Sequence, residues 1–275
     1  MERKYPIGIF DSGYGGLTIL KEIRKVLPEY DYIYLGDNAR NPYGTRSFNV
    51  VYEYTLEAVK KLFEMECRLV ILACNTASAK ALRTIQQKDL PEIAPDRRVL
   101  GVIKPSVEAV VDITENNHIG VLGTNGTVSS GSYLIELEKL SGGKIITTQE
   151  ACPMWVPIVE NNEIDTMGAN YFVEKNITSL LSKDPEIDTI ILGCTHYPLL
   201  LGTIKKYLPE KVKIVEQGPI VADKLKDYLD RHPEIENICS KEGGIVYYTT
   251  EQTKNFEEIA SIFLGETIHA STIHL

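Results

Sequence analysis

Two cysteines stand where they could do chemistry. VILACNTAS, starting at Val70, carries Cys74, and IILGCTHYP, starting at Ile190, carries Cys194. Each is an apolar, strand-like run that stops on a thiol and continues into polar residues, and the two lie 120 residues apart. A cysteine just past a buried strand often opens the next helix. Asn75-Thr76-Ala77-Ser78 begins a helical pattern, which puts Cys74 near the cap. The helix dipole and free N–H groups there favour thiolate and can bring a thiol pKa from about 8.5 toward 7. Pro198 suits a helix start soon after Cys194. Free cysteine is also a common core residue, so either thiol alone reads equally well as packing. Both, in matching contexts, point to function.

A second pairing accompanies the first. YPIGIFDSGYGG from Tyr5 and NHIGVLGTNGT from Asn117 are each a short strand with Ile-Gly and then a polar, Gly-rich turn, 112 residues apart. Two repeats in the same order imply a duplicated α/β unit, and two facing halves put one thiol on each side of a cleft. That arrangement suits proton exchange at a stereocentre. One thiolate takes a proton from one face, the other thiol delivers one to the opposite face, and the roles swap for the reverse direction. Neither metal nor cofactor is required. Cys194-x-His196 has no second ligand pair beside it. G-x-x-x-x-G-K-[ST] and G-x-S-x-G do not occur, and DSGYGG lacks the rest of a dinucleotide fingerprint.

The elements that must hold these residues alternate. Segments 7–10, 32–35, 69–73, 99–103, 119–123, 145–148, 189–193, 213–215 and 245–249 read as strands, several of them apolar on both faces as in buried parallel sheets. Segments 17–27, 48–65, 77–87, 105–116 and 164–182 space apolar residues three or four apart, as helices do. The fold class is therefore α/β with mainly parallel sheets, and ligands gather at the carboxyl ends of such strands.

Composition excludes other classes. The 275 residues are 43% hydrophobic and 24% charged, ordinary for a globular protein. A net charge of −9 with scattered Lys and Arg argues against a phosphate-gripping face, so no nucleic-acid partner is expected. No apolar stretch approaches the roughly 20 residues that cross a membrane. MERKYPIGIF lacks the apolar core of a signal peptide, which points to the cytoplasm. Five cysteines, an odd number with no C-x-x-C, argue against a disulfide framework.

IFDSGYGGLT, YLGDNARNPYG, LACNTASA, GVIKP, IGVLGTNGT, ACPMWVPIVE, LGCTHYPLL and the late YYTT and FLG together resemble the glutamate racemases of the aspartate/glutamate racemase family, over residues 7–265. The resemblance implies cofactor-independent interconversion of L- and D-glutamate, with D-glutamate going to peptidoglycan. It also implies a homodimer of two pseudo-symmetric α/β domains with the active site in the cleft between them. The first domain would be residues 1–98 plus 213–275, and the second 99–212. Cys74 and Cys194 would exchange the α-proton. Asp11 would attend the first cysteine, binding the substrate ammonium and managing the thiol proton, or would serve only as a turn residue. Glu160 and His196 would assist the second. Ser12, Pro42, Tyr43, Gly44, Asn75, Thr76, Thr124, Thr127 and Thr195 match substrate-binding positions, together with Asp11 and His196. Cys67, Cys152 and Cys239 read as structural.

Glu216-Gln217-Gly218 stands where the family often shows an Asp-containing turn, Asn41 is at a variable position, and the tail after Gly265 has no usable counterpart. A racemase of aspartate or another small amino acid would use the same apparatus. A binding or regulatory protein on this fold would more naturally have lost one of the thiols.

Overall fold

The computed structural model describes residues 3–275; the first two residues, which open the expected first domain, lie outside the described residues. The strands are β1 (Ile7–Asp11), β2 (Tyr32–Gly36), β3 (Leu69–Leu72), β4 (Arg98–Gly101), β5 (His118–Gly123), β6 (Ile146–Ala151), β7 (Thr189–Gly193), β8 (Lys213–Val215), β9 (Ile245–Thr249) and β10 (Ala270–Thr272). They form a six-stranded sheet of order β10-β9-β2-β1-β3-β4 and a four-stranded sheet of order β6-β5-β7-β8. All these pairings are parallel.

The order β2-β1-β3-β4 recurs as β6-β5-β7-β8, so the two short repeats in the sequence mark a repeated sheet. In each sheet the chain reverses its winding between two central strands, β1 and β3 in one, β5 and β7 in the other. The loops leaving two such strands diverge and open a crevice at their carboxyl ends.

The central strands are buried on both faces, and their side chains alternate between two apolar layers. Ile7, Ile9, Tyr32, Tyr34, Leu69 and Ile71 join one cluster, while Phe10, Ile33, Leu35, Val70 and Leu72 join the other. Helix α1 (Gly16–Val26) lays Leu17, Leu20 and Ile23 into the first layer and packs along the helix Gln217–Arg231. Helix α2 (Phe48–Glu64) covers the second layer with Val51, Val59 and Leu62, and its first turn is capped by Ser47. Helix α3 (Asn75–Lys80) follows β3 directly.

Several boundaries differ from the sequence expectation. Division at 98/99 and 212/213 would detach two strands from their sheets. β4 is hydrogen-bonded to β3 in the first sheet, and β8 to β7 in the second. The chain crosses between sheets only after each of these strands, through the helices Ile103–Ile113 and Gln217–Arg231. Strand 99–103 therefore ends at Gly101, and Ile103 already opens a helix with Pro105 in its first turn. The single helix expected over 77–87 is divided into α3, a short piece Leu82–Thr84 and a π-type turn Ile85–Asp89. Ala77, Ala81 and Ile85 all stay buried across these breaks, so the apolar face is continuous although the helix is not.

The tail has a structural role. Ala270 and Thr272 of β10 pair with Tyr247 and Thr249 of β9, Ile268 is buried, and Ile273 packs against the second layer. Removing residues after Gly265 is expected to cost about 2–4 kcal/mol of stability from this apolar burial and to lower the melting temperature by several degrees. An unchanged thermal melt would contradict this role.

Candidate active site

The four central strands end together. β1 delivers Asp11 and then Ser12, β3 leads to Cys74, β5 to Thr124, and β7 to Cys194, Thr195 and His196. A cavity of about 90 Å³ lies among them, with Cys74 and Cys194 both on its wall. Ser12, Pro42, Tyr43, Gly44, Asn75, Thr76, Thr124, Thr195 and His196 line it too.

Cys74 is the N-cap of α3. Its sulfur accepts the Ala77 N–H at 3.4 Å and lies 3.4 Å from the Ser12 hydroxyl. The cap position is as expected, but its effect on the proton is not. Burial pushes the Cys74 thiol up to about 12, the nearby Asp11 carboxylate adds to the rise, and the Ser12 and Ala77 hydrogen bonds only partly oppose it. A six-residue helix supplies too weak a field to outweigh desolvation.

Cys194 has a different neighbour. Its sulfur lies 3.8 Å from His196 Nδ1, and His196 Nε2 lies 2.9 Å from Glu160 Oε1. Burial disfavours the imidazolium, yet the hydrogen bonds and charges of Cys194 and Glu160 overcome it and lift His196 to about 10. Asn41 in turn donates to both Glu160 oxygens, at 2.9 and 3.0 Å. This chain joins the β2–α2 loop to the helix Trp155–Glu160, and so ties one half to the other.

Close approach makes two glycines necessary. A methyl at Gly15 would stand 2.1 Å from Thr195 Oγ1 and 2.5 Å from His196 Nδ1; at Gly44 it would stand 2.9 Å from Thr124 Cβ. Thr18 Oγ1 also donates to the Thr195 carbonyl at 3.0 Å. Across the cavity, Thr76 and Thr124 hydroxyls lie 3.0 Å apart, and Thr124 caps the helix Asn125–Ser130 through the Thr127 N–H.

Some expected site residues do not reach the cavity wall. Asp11 is buried beside it, with Oδ2 accepting the Gly13 N–H at 2.9 Å and Oδ1 without a hydrogen-bond partner. Desolvation raises its pKa against the opposing influence of His196 and two backbone N–H groups. Glu160 acts from behind His196. Thr127 is fully buried, with its hydroxyl 3.1 Å from Thr124.

Two wall residues have side chains committed elsewhere. The Tyr43 hydroxyl bonds Asp37, and the Asn75 amide bonds Gln217 and Tyr133. What Asn75 offers the cavity is the free N–H of a first helical turn. Cys152, read as structural, lines the cavity with Pro153, Val156 and Pro157. Sequence reasoning passed over Asn41 because its partner is 119 residues away. The only signal was its place before Pro42-Tyr43-Gly44. Among the described residues, no group of three or more His, Cys, Asp or Glu side chains converges as a metal site.

The fold and the paired thiols define a class, and the comparisons agree with it. The chain belongs to the Asp/Glu/Hydantoin racemase family, whose sequence model matches residues 17–225. Within that family it groups with the glutamate racemases. The glutamate racemase of Streptococcus agalactiae is 38% identical over 271 residues, 98% of each chain. The crystal structure of glutamate racemase isoform RacE1 from Bacillus anthracis is 36% identical and superposes with a TM-score of 0.90, covering 100% of this chain and 99% of that one. The Francisella tularensis glutamate racemase, crystallised in complex with D-glutamate, is 30% identical with a TM-score of 0.87 over 98% of both chains.

The His196–Glu160 pair predicts a pH response. Its folded pKa is raised above the ordinary 6.5, so the stabilisation is fully present below that value and is lost as pH rises through about 10. Glu160→Gln removes one raising partner. The His196 resonance in ¹⁵N-histidine spectra is expected to titrate at clearly lower pH in the variant. An unchanged midpoint would contradict the coupling.

Proposed function

We propose that the protein interconverts L- and D-glutamate by proton transfer between two thiols on opposite sides of the α-carbon. The observation that carries this reading is that Cys74 and Cys194, from equivalent strand ends of two repeated sheets, line the same cavity. One cysteine, as thiolate, takes the α-proton. The electron pair spreads onto the α-carboxylate, where backbone N–H groups and hydroxyls at fixed positions stabilise the developing charge. The other cysteine, as thiol, gives its proton to the opposite face. The thiol and thiolate have then exchanged places, and the reverse reaction starts from the product state.

The environments of the two cysteines suit distinct proton handling. Cys74 sits in a buried setting next to Asp11, whose partnerless Oδ1 suits the thiol proton assigned to it. Cys194 sits beside His196, which holds a proton readily with Glu160 and Asn41 behind it. Ser12, Thr76, Thr124 and Thr195 supply hydroxyls for the substrate carboxylates, while Pro42, Tyr43 and Gly44 form the wall that approaches it. Thr127 acts through Thr124.

Glutamate is the substrate favoured by full-length similarity to glutamate racemases, one of them solved with D-glutamate. The same resemblance supports a homodimer, a cytoplasmic location and a role in supplying D-glutamate for peptidoglycan. We also propose two domains, divided at the crossings after β4 and after β8.

Optical activity tests the substrate, and cysteine variants test the mechanism. L- and D-glutamate are each expected to lose optical rotation, and aspartate to remain unchanged; racemisation of aspartate alone would sink the substrate. Cys74→Ser and Cys194→Ser are each expected to abolish racemisation. Each should retain elimination of HCl from only one enantiomer of 3-chloroglutamate, the two variants acting on opposite enantiomers. Equal loss of both enantiomers in both variants would contradict the two-sided arrangement.

A further inference from the structure

Behind the thiols lies a closed ring of buried polar side chains that the chemistry above does not use. The Tyr133 hydroxyl donates to Asn75 Oδ1 at 2.8 Å and accepts from Gln217 Nε2 at 2.8 Å. Asn75 Nδ2 closes the ring by donating to Gln217 Oε1 at 2.6 Å. The remaining Gln217 N–H reaches Ser106 Oγ at 2.7 Å, and Ser106 passes its own hydrogen to the Val102 carbonyl at 2.8 Å. Each donor finds an acceptor with consistent direction, and all four residues are 2% exposed or less.

The ring touches the neighbour of each thiol. Asn75 directly follows Cys74. The Tyr133 ring lies against Gly193, which directly precedes Cys194; a methyl at Gly193 would stand 3.2 Å from Tyr133 Cε2. Ser106 and Gln217 sit on the two helices by which the chain crosses between the sheets, Ile103–Ile113 and Gln217–Arg231. A shift of one sheet against the other about these crossings would change the separation of Cys74 and Cys194.

We infer that Tyr133 and Gln217 are positioning residues that fix the spacing of the two thiols across the cavity. This rests on the two-thiol reading above. A glutamine amide donates and accepts at once, so Gln217 serves Tyr133, Ser106 and Asn75 together.

The test separates two-sided from one-sided chemistry. Racemisation needs both thiols in reach of one carbon. Elimination from 3-chloroglutamate needs one: a thiolate takes the α-proton, the C–H electron pair becomes the Cα=Cβ bond, and chloride leaves. The resulting enamine tautomerises and is hydrolysed to 2-oxoglutarate and ammonium. Tyr133→Phe keeps the ring on Gly193 and removes the hydroxyl. Gln217→Met keeps the bulk and removes the amide, and decides alone if the first variant does not fold. A spacing error of about 1 Å can cost about 10²-fold, so kcat for racemisation is expected to fall by about that factor in both directions, with KM within about threefold. Elimination from either enantiomer should stay within about threefold of the parent enzyme by the same reasoning. Unchanged racemisation, or parallel loss of racemisation and elimination in a folded variant, overturns the inference. Failure of the two-thiol reading itself would show separately, as loss of the opposite enantiomer preferences of Cys74→Ser and Cys194→Ser.

Discussion

Two sulfur atoms carried by different sheets have to stand on one small cavity, and much of the molecule follows from that constraint. Neither sheet builds the site alone. Each supplies a pair of central strands whose carboxyl ends open a crevice, and the crevices must meet. They meet closely enough that Gly15 and Gly44 leave no room for a Cβ. Hydroxyls then fasten the contact, Thr76 to Thr124 on one side and Thr18 to the Thr195 carbonyl on the other. The Asn41–Glu160–His196 chain adds a third tie, and its last member is also the partner of Cys194. The contacts that hold the halves together therefore include the immediate neighbour of one of the thiols.

Burial sets the electrostatics. Asp11, His196 and both thiols are buried, and desolvation is the largest influence on Asp11, Cys74 and His196 alike. What differs is the compensation. Cys74 has only a hydroxyl and one N–H against the adjacent carboxylate, so it is held as the thiol. His196 has a carboxylate and a sulfur, so it is held as the imidazolium. An amino acid entering this space brings an ammonium and carboxylates of its own, and so completes a charge arrangement that the protein leaves unfinished.

The duplicated architecture was legible because both repeats carry strong local signals: Ile-Gly strands running into Gly-rich turns, and apolar runs ending on cysteine. The thiols and His196 were legible for the same reason. The domain boundaries were not, because β4 and β8 are assigned by which neighbour they bond across the sheet rather than by anything in their own residues. β10 escaped because Ala270-Ser271-Thr272 shows no apolar alternation and is held by backbone pairing. The direction of the Cys74 shift was misjudged because a cap position can be read from Asn75-Thr76-Ala77-Ser78, whereas burial cannot. Tyr43 and Asn75 line the cavity, but the hydroxyl and the amide serve partners that only the folded chain brings near. Asn41 and Gln217 looked like departures from a pattern, and each proves to bridge segments more than a hundred residues apart.

Opposed thiols are tested most directly by where deuterium goes. Starting from L-glutamate in D₂O and sampling early in the reaction, the D-glutamate formed should carry deuterium at Cα while the remaining L-glutamate keeps its protium. The mirror pattern should hold from D-glutamate. Protium carried over into the product, or deuterium entering the remaining substrate as fast as the product, would mean that one group works both faces, and would contradict the assignment of Cys74 and Cys194 to opposite sides.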